Sequence, residues 1–227
     1  MLTWSAIDTV MFDMDGTLLD LHFDNFFWQI HVPTVYGKKH GLSPQQASEL
    51  IFSKYASAQG SLDWYCLDFW SATLDLDIAR LKTDTRHKIA VRPHAIELLE
   101  RLRKHDKRLL LVTNAHPDSL SLKMHQTGME HHFHNTISSH TLGKAKEQPG
   151  FWSDLLAVEP FDPQRTLLID DTLPVLRRAR DEGIKHLLAI HQPDSQQPPL
   201  SAQEFTQIKD FRQIMPAALN NKQVASG

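Results

Sequence analysis

Five short apolar runs, at residues 9–12, 108–112, 135–138, 165–169 and 186–190, alternate with stretches of helical periodicity. This alternation restricts the chain to βαβ units and a parallel sheet. The predicted helices include 95–104, with Ile96, Leu99 and Leu102 on one side, 119–127 closed by Gly128, and 173–182 closed by Gly183. In open sheets of this class, ligands bind beyond the carboxyl ends of the strands. The residues directly after each apolar run are therefore candidates for a site.

The interval from Asp20 to about Val91 breaks the alternation and reads as consecutive helices. A chain of 227 residues, 41% hydrophobic and 22% charged, has room for one large domain carrying a smaller one. The predicted division is a core of residues 1–19 and 90–219, a helical domain inserted at 20–89, and a tail at 220–227. Within the insert, Ser43 can cap a helix, Pro44 suits its first turn and Gln46 can reach back. Ala47, Leu50, Ile51, Tyr55 and Ala58 then make one predicted apolar stripe. The aromatic stretch 62–70 is predicted to be helical, with ordinary core packing as the main use of its rings. Disorder is expected in the polar turn 192–199 and in the tail.

A formal net charge of −3 gives no basic field for gripping phosphate backbones, which argues against a nucleic-acid partner. The single Cys66 cannot close an internal disulfide. The N-terminus lacks a basic and apolar leader, and no apolar run is long enough to span a membrane. The expected setting is cytoplasmic, without a membrane partner, and no sequence feature specifies an oligomeric state.

Four separated segments end at the same predicted sheet edge. Asp13 and Asp15 follow the first run, with Gly16 allowing a sharp turn. Thr113-Asn114 follow the second run, Lys146 lies in Gly143-Lys144-Ala145-Lys146-Glu147, and Asp170-Asp171 follow the fourth. Taken singly, such residues are usually turns, helix caps or surface charges. Together they answer one need, because carboxylates at Asp13, Asp15 and Asp171 repel one another unless a cation lies between them. An all-oxygen donor set favours Mg²⁺. Phosphoryl transfer asks for an in-line nucleophile, a proton donor for the leaving oxygen, and positive charge around the transferring oxygens. Asp13 can attack phosphorus and become an aspartyl phosphate, while Asp15 can protonate the leaving alkoxide and later deprotonate water. Lys146, for which Lys144 is a competitor, can hold the oxygens together with the hydroxyl and backbone N–H groups at Thr113-Asn114. Phosphate-monoester hydrolysis demands accelerations reaching on the order of 10²¹-fold, which several groups must supply in a water-poor site. Closing that site is a task for the helical insert.

Asp13-Met14-Asp15-Gly16-Thr17-Leu18, followed in order by Thr113, Lys146 and Asp170-Asp171, is similar to the four-motif signature of the haloacid dehalogenase-like (HAD) hydrolase superfamily. The resemblance implies a Rossmann-like parallel-sheet core with an inserted α-helical cap. It also implies Asp13 as nucleophile, Asp15 as acid and base, and Thr113 and Lys146 as phosphate ligands. Mg²⁺ would lie on Asp13, the Asp15 carbonyl and Asp171, with Asp170 supporting them. Over nearly the whole chain, the segments 23–28, 63–70, 113–117 and 193–195 further resemble the bacterial GMP/IMP nucleotidase group. That implies a purine nucleoside 5′-monophosphate as substrate, with phosphate and nucleoside as products. Many superfamily members carry Lys-Pro in the third motif, whereas this chain has two lysines with Pro149 further on. Lys146-Glu147 followed by Trp152 fits the nucleotidase group better. Leu21 stands where relatives often have Ser.

The same core residues would serve a phosphoglycolate or sugar phosphatase, or a β-phosphoglucomutase-like enzyme, because the cap chooses the substrate. Dehalogenation has no evident use for Asp15. A receiver-like signalling domain also uses an acidic pair, a Thr and a Lys, but it needs neither the second Asp after the nucleophile nor a cap. Phe23, Phe27, Trp64 and Trp70 are candidates for stacking a purine. His116 is weighed as a substrate contact against a structural role. His131, His132 and His134 lack a fourth ligand for zinc and read as an exposed turn, and Cys66, among aromatic neighbours, reads as packing.

Overall fold

The computed structural model describes residues 2–200 and 204–218, so the tail predicted at 220–227 lies outside the described residues. Six parallel strands, β1 (Thr9–Phe12), β2 (Arg108–Thr113), β3 (Asn135–Ser138), β4 (Thr166–Asp170), β5 (His186–Ile190) and β6 (Gln207–Ile208), lie in the order β3-β2-β1-β4-β5-β6. The chain winds outward from β1 to β3 and then returns to the other side of β1, which opens a crevice where the winding reverses. Phe12 pairs with Leu111 on one side and Ile169 on the other, so the next residue, Asp13, emerges beside Asp170. Five of the strands match the apolar runs; β6 has no such run and is an addition.

The insert begins with α1 (His22–Phe26), which passes through a π turn (Phe27–His31) into α2 (Val32–His40). Gly41, at φ 65°, ends that helix. In α3 (Pro44–Ala58) the Ser43 hydroxyl accepts from the Gln46 N–H and the Gln46 side chain accepts from the Ser43 N–H, the reciprocal cap expected from the sequence. Ala47, Ile51, Tyr55 and Ala58 are buried as predicted, but Leu50 is 47% exposed, because it sits on the flank of that stripe. The stretch 62–70 is not one helix. A 3₁₀ turn (Leu62–Tyr65) gives way to extended backbone at Cys66, whose sulfur accepts the Phe69 N–H and starts α4 (Leu67–Leu74). With α5 (Ile78–Asp84), these helices enclose a small core of their own around Phe27, Tyr55, Leu67 and Trp70.

Alternate strand residues serve opposite faces of the sheet. Val10, Leu109, Leu111, Leu167 and Ile169 pack under α6 (Ala95–Lys104) and α7 (Pro117–Thr127). Met11, Leu110, Val112 and Leu168 pack under α8 (Phe151–Val158) and α9 (Leu173–Asp181). Among the described residues, no helix is long and apolar enough to cross a membrane. His132, expected in an exposed turn, is buried instead.

The insert joins the sheet layer through two passages that lie side by side. Leu19 bridges Val91, the Asp20 N–H donates to the Ala90 carbonyl at 2.9 Å, and the Arg92 N–H donates to the Leu18 carbonyl at 2.9 Å. The turn 192–199, expected to be disordered, is tied into this junction. The Arg92 guanidinium donates to the carbonyls of Gln192 and Pro193, Leu21 N–H donates to Pro193, and Ser195 N–H donates to the Asp20 carboxylate. Its backbone groups are satisfied by Arg92, Leu21 and Asp20 from outside the turn, which is why composition alone misreads it.

Candidate active site

At the carboxyl edge of β1 and β4, one ammonium faces two carboxylates. Lys146 Nζ donates to Asp13 Oδ1 at 2.5 Å, to Asp170 Oδ2 at 2.7 Å and to the Val112 carbonyl at 3.1 Å, and all three side chains are buried. Asp171 completes the group: carboxylate oxygens of Asp13, Asp170 and Asp171 lie within 4.8 Å of one another. Three carboxylates against one ammonium would leave two negative charges uncompensated if all three were ionised, at a site whose side chains are largely buried. Burial, together with Asp170, pushes the Asp13 carboxyl up to about 6 despite Lys146. Burial and the charges of Asp13 and Asp170 push Asp171 well above the ordinary carboxylate range. Gly16, at φ 84°, is required here: a Cβ on it would stand 2.3 Å from Asp171 Oδ2. The competing lysine, Lys144, is instead paired with Asp154 on α8.

Asp15 meets a second, balanced cluster. Its Oδ1 forms an ion pair with Lys123 Nζ at 2.7 Å, and Lys123 in turn donates to Asp24 Oδ2 at 2.7 Å. Lys82 Nζ donates to Asp24 Oδ1 at 2.6 Å and to Ser119 Oγ at 3.1 Å. Asp24 and Lys82 come from the insert, whereas Asp15, Lys123 and Ser119 come from the core. Burial and the neighbouring Asp24 raise the Asp15 carboxyl to about 6, with Lys123 and Lys82 opposing. Sequence reasoning missed Lys123, Lys82 and Asp24. The available signal was that Ser119 and Lys123, four residues apart on α7, share its inward line with Met124.

A cavity of 320 Å³ joins the two clusters, with Asp13, Asp15, Thr113, Asn114, Lys146 and Asp171 on the core side. Thr113 is buried, and its hydroxyl accepts the Ala115 N–H at 3.1 Å. The Asn114 side chain is committed to the loop that carries the lysine: Oδ1 accepts the Lys146 N–H at 2.8 Å and Nδ2 donates to Glu147 Oε2 at 2.9 Å. Glu147 Oε1 accepts from the Tyr65 hydroxyl of the insert at 3.0 Å, a bridge the sequence reading did not foresee. The opposite wall is aromatic, formed by Trp28, Tyr55, Trp64, Tyr65 and Trp70. Of the four rings nominated from sequence, Trp64 and Trp70 line the cavity, although Trp70 is only 1% exposed, while Phe23 and Phe27 are buried and do not line it. His116 also lines it.

The profile of the haloacid dehalogenase-like hydrolases matches residues 7–183. GMP/IMP nucleotidase YrfG of Escherichia coli (strain K12) is 39% identical over 218 residues, spanning 96% of this chain and 98% of that protein. A HAD phosphatase from Thermococcus onnurineus superposes with a TM-score of 0.76 at 24% identity, covering 92% of this chain and 96% of the other. CbbY from Rhodobacter sphaeroides, solved in complex with phosphate, superposes with a TM-score of 0.61 at 16% identity, over 92% of this chain and 96% of its own.

Proposed function

The chain belongs to the haloacid dehalogenase-like hydrolase family, and from that premise we propose that it is a Mg²⁺-dependent 5′-nucleotidase that releases phosphate from purine nucleoside monophosphates. One observation carries the reading: Asp13 and Asp15, two residues apart, face one cavity whose far wall is made of tryptophan and tyrosine rings. The half-buried rings of Trp28, Trp64 and Tyr65 would stack a purine, with the carboxylates at the phosphate end. A sugar phosphatase would have less use for such a wall. The nucleotide specificity also follows the nucleotidase of E. coli, whose likeness extends through the insert.

In this mechanism a carboxylate oxygen of Asp13 attacks phosphorus while the 5′ oxygen departs with the proton of Asp15. Water then loses a proton to Asp15 and displaces the Asp13 carboxylate, which frees phosphate. A pKa near 6 suits Asp15 to both duties, since it can hold and release a proton close to neutrality. Lys146 steadies Asp13 and, with Thr113, faces the phosphoryl oxygens. Asn114 acts indirectly, by fixing the Lys146 backbone. The residues fit a hard divalent cation: the donors are all oxygen, the group carries excess negative charge, and Gly16 leaves room for Asp171. Mg²⁺ would be held by Asp13, Asp171 and the Asp15 carbonyl, with Asp170 behind them, and would neutralise charge on the phosphoryl oxygens.

Phosphate release should be measured with Mg²⁺ over nucleoside monophosphates and small sugar phosphates, for the parent chain and Asp13→Asn. GMP and IMP should exceed the sugar phosphates in kcat/KM by at least about tenfold, and Asp13→Asn should lose roughly 10³-fold or more in kcat. A preference for sugar phosphates would overturn the substrate class. Full turnover by the variant would overturn the nucleophile.

A further inference from the structure

Beside the catalytic cavity, Cys66, His116 and His140 each bring one donor atom to within 4.8 Å of the others. The phosphatase chemistry requires none of the three. They come from separate elements: Cys66 precedes α4 in the insert, His116 precedes α7 in the core, and His140 follows β3. His140 Nε2 is buried and has no hydrogen-bond partner. Its ring meets that of His116 edge-on, with centroids 5.1 Å apart. A buried imidazole nitrogen without a partner costs free energy, so a ligand on it would be favourable.

One thiol and two imidazoles form an S,N,N donor set that suits zinc far better than Mg²⁺. Tetrahedral zinc, with bonds of about 2.0–2.3 Å, holds its donors roughly 3.5 Å apart, so a contraction of no more than about 1.3 Å would close the site around the ion. Asp68 places Oδ2 3.6 Å from His116 Nε2 and is exposed, which leaves its carboxylate or a water as the fourth ligand. In the structure His116 Nδ1 accepts the Asp118 N–H at 3.3 Å, so zinc on Nε2 would require that cap bond to break and Nδ1 to take the proton, with Asp118 Oδ2 3.8 Å away to receive it.

We propose that Cys66, His116 and His140 form a binding site for one zinc-class divalent ion that fastens the helical insert to the core. Binding converts the Cys66 thiol to the thiolate and releases its proton to solvent. With Cys66 from the insert and both histidines from the core, the bound ion holds the insert down beside the cavity that His116 lines, and slows exchange of substrate and product. The binding is independent of the nucleotidase reading; its effect on turnover rests on that reading.

The test uses the full chain, Zn²⁺ in competition with a chromogenic chelator, and Co²⁺ as a spectroscopic substitute. One zinc per chain should bind at this site, and cobalt should show a thiolate charge-transfer band. Cys66→Ser keeps a good helix cap, so the fold should survive while the cobalt band disappears and zinc affinity falls at least tenfold. His140→Gln should also weaken zinc at least tenfold. Inhibition of Mg²⁺-supported turnover by zinc should require at least tenfold more zinc in both variants. A parent chain without the thiolate band, or variants that bind zinc as tightly as the parent, would overturn the site and assign any bound ion to the aspartates. A chain that shows the band but hydrolyses no monophosphate would support the metal site and fault the nucleotidase reading instead.

Discussion

Charge balance separates the two aspartates that share a motif. Asp13 lies in a group with excess negative charge, whereas Asp15 and Asp24 are matched by Lys123 and Lys82. Lys123 is the one cation of this set in contact with both carboxylates, so it should position Asp15 and restrain its pKa. Removing an opposite charge at contact distance raises a carboxyl by about 1–3 units. In Lys123→Met, Asp15 should therefore keep its proton to higher pH. The alkaline limb of kcat/KM against pH should move upward by about 1 unit or more, and kcat should fall. An unmoved profile with only a lowered Tm would reduce Lys123 to a packing role. None of this was legible beforehand, because a lysine in a helix reads as solvated unless its inward partners are known. Asp13, Thr113, Lys146 and the Asp170-Asp171 pair were legible, since each follows a strand signal or stands in a motif at that edge.

Elements position these groups through register. β1 and β4 pair so that Asp13 and Asp170 emerge together, and the turn after β1 brings Gly16 under Asp171. An added methyl there meets a carboxylate oxygen, and the left-handed backbone disfavours any side chain by about 1–2 kcal/mol. Gly16→Ala should accordingly lose at least about tenfold in kcat/KM, equivalent to about 1.4 kcal/mol of transition-state stabilisation, beyond what its drop in Tm explains. Equal kcat/KM at saturating Mg²⁺ would remove this glycine from the site. The strand runs and the Ser43 cap were readable because they are local. Gln207–Ile208 was not, since two residues carry no period and pair through their position beside β5. The break at Cys66 was hidden for a related reason: aromatic residues supply apolar surface in either conformation, and the turn is set by which rings pack in the insert.

At the scale of the molecule, the insert rests on the core through polar bridges: Asp24 to Lys123, Lys82 to Ser119, Tyr65 to Glu147 and Asn25 to Asp194. Burial would raise the Asp24 carboxyl, but Lys123 and Lys82 together hold it well below its ordinary value of 3.8. A carboxyl held low in the folded state contributes stability that is complete above its unfolded pKa and is lost as pH falls through the folded one. Unfolding free energies of the parent and Asp24→Asn should differ by about 3 kcal/mol near neutrality and converge as the pH drops below 3.8. A gap that stayed constant into strong acid would contradict the pairing.

The two passages paired at Leu19 and Val91 have a further effect. Because the excursion starts and finishes at neighbouring points, lengthening or shortening it changes the closure entropy only slowly and leaves the strands in step. The edge that carries the aspartates thus acts as a socket, in which the helical excursion can change in length while the acidic residues beneath keep their places.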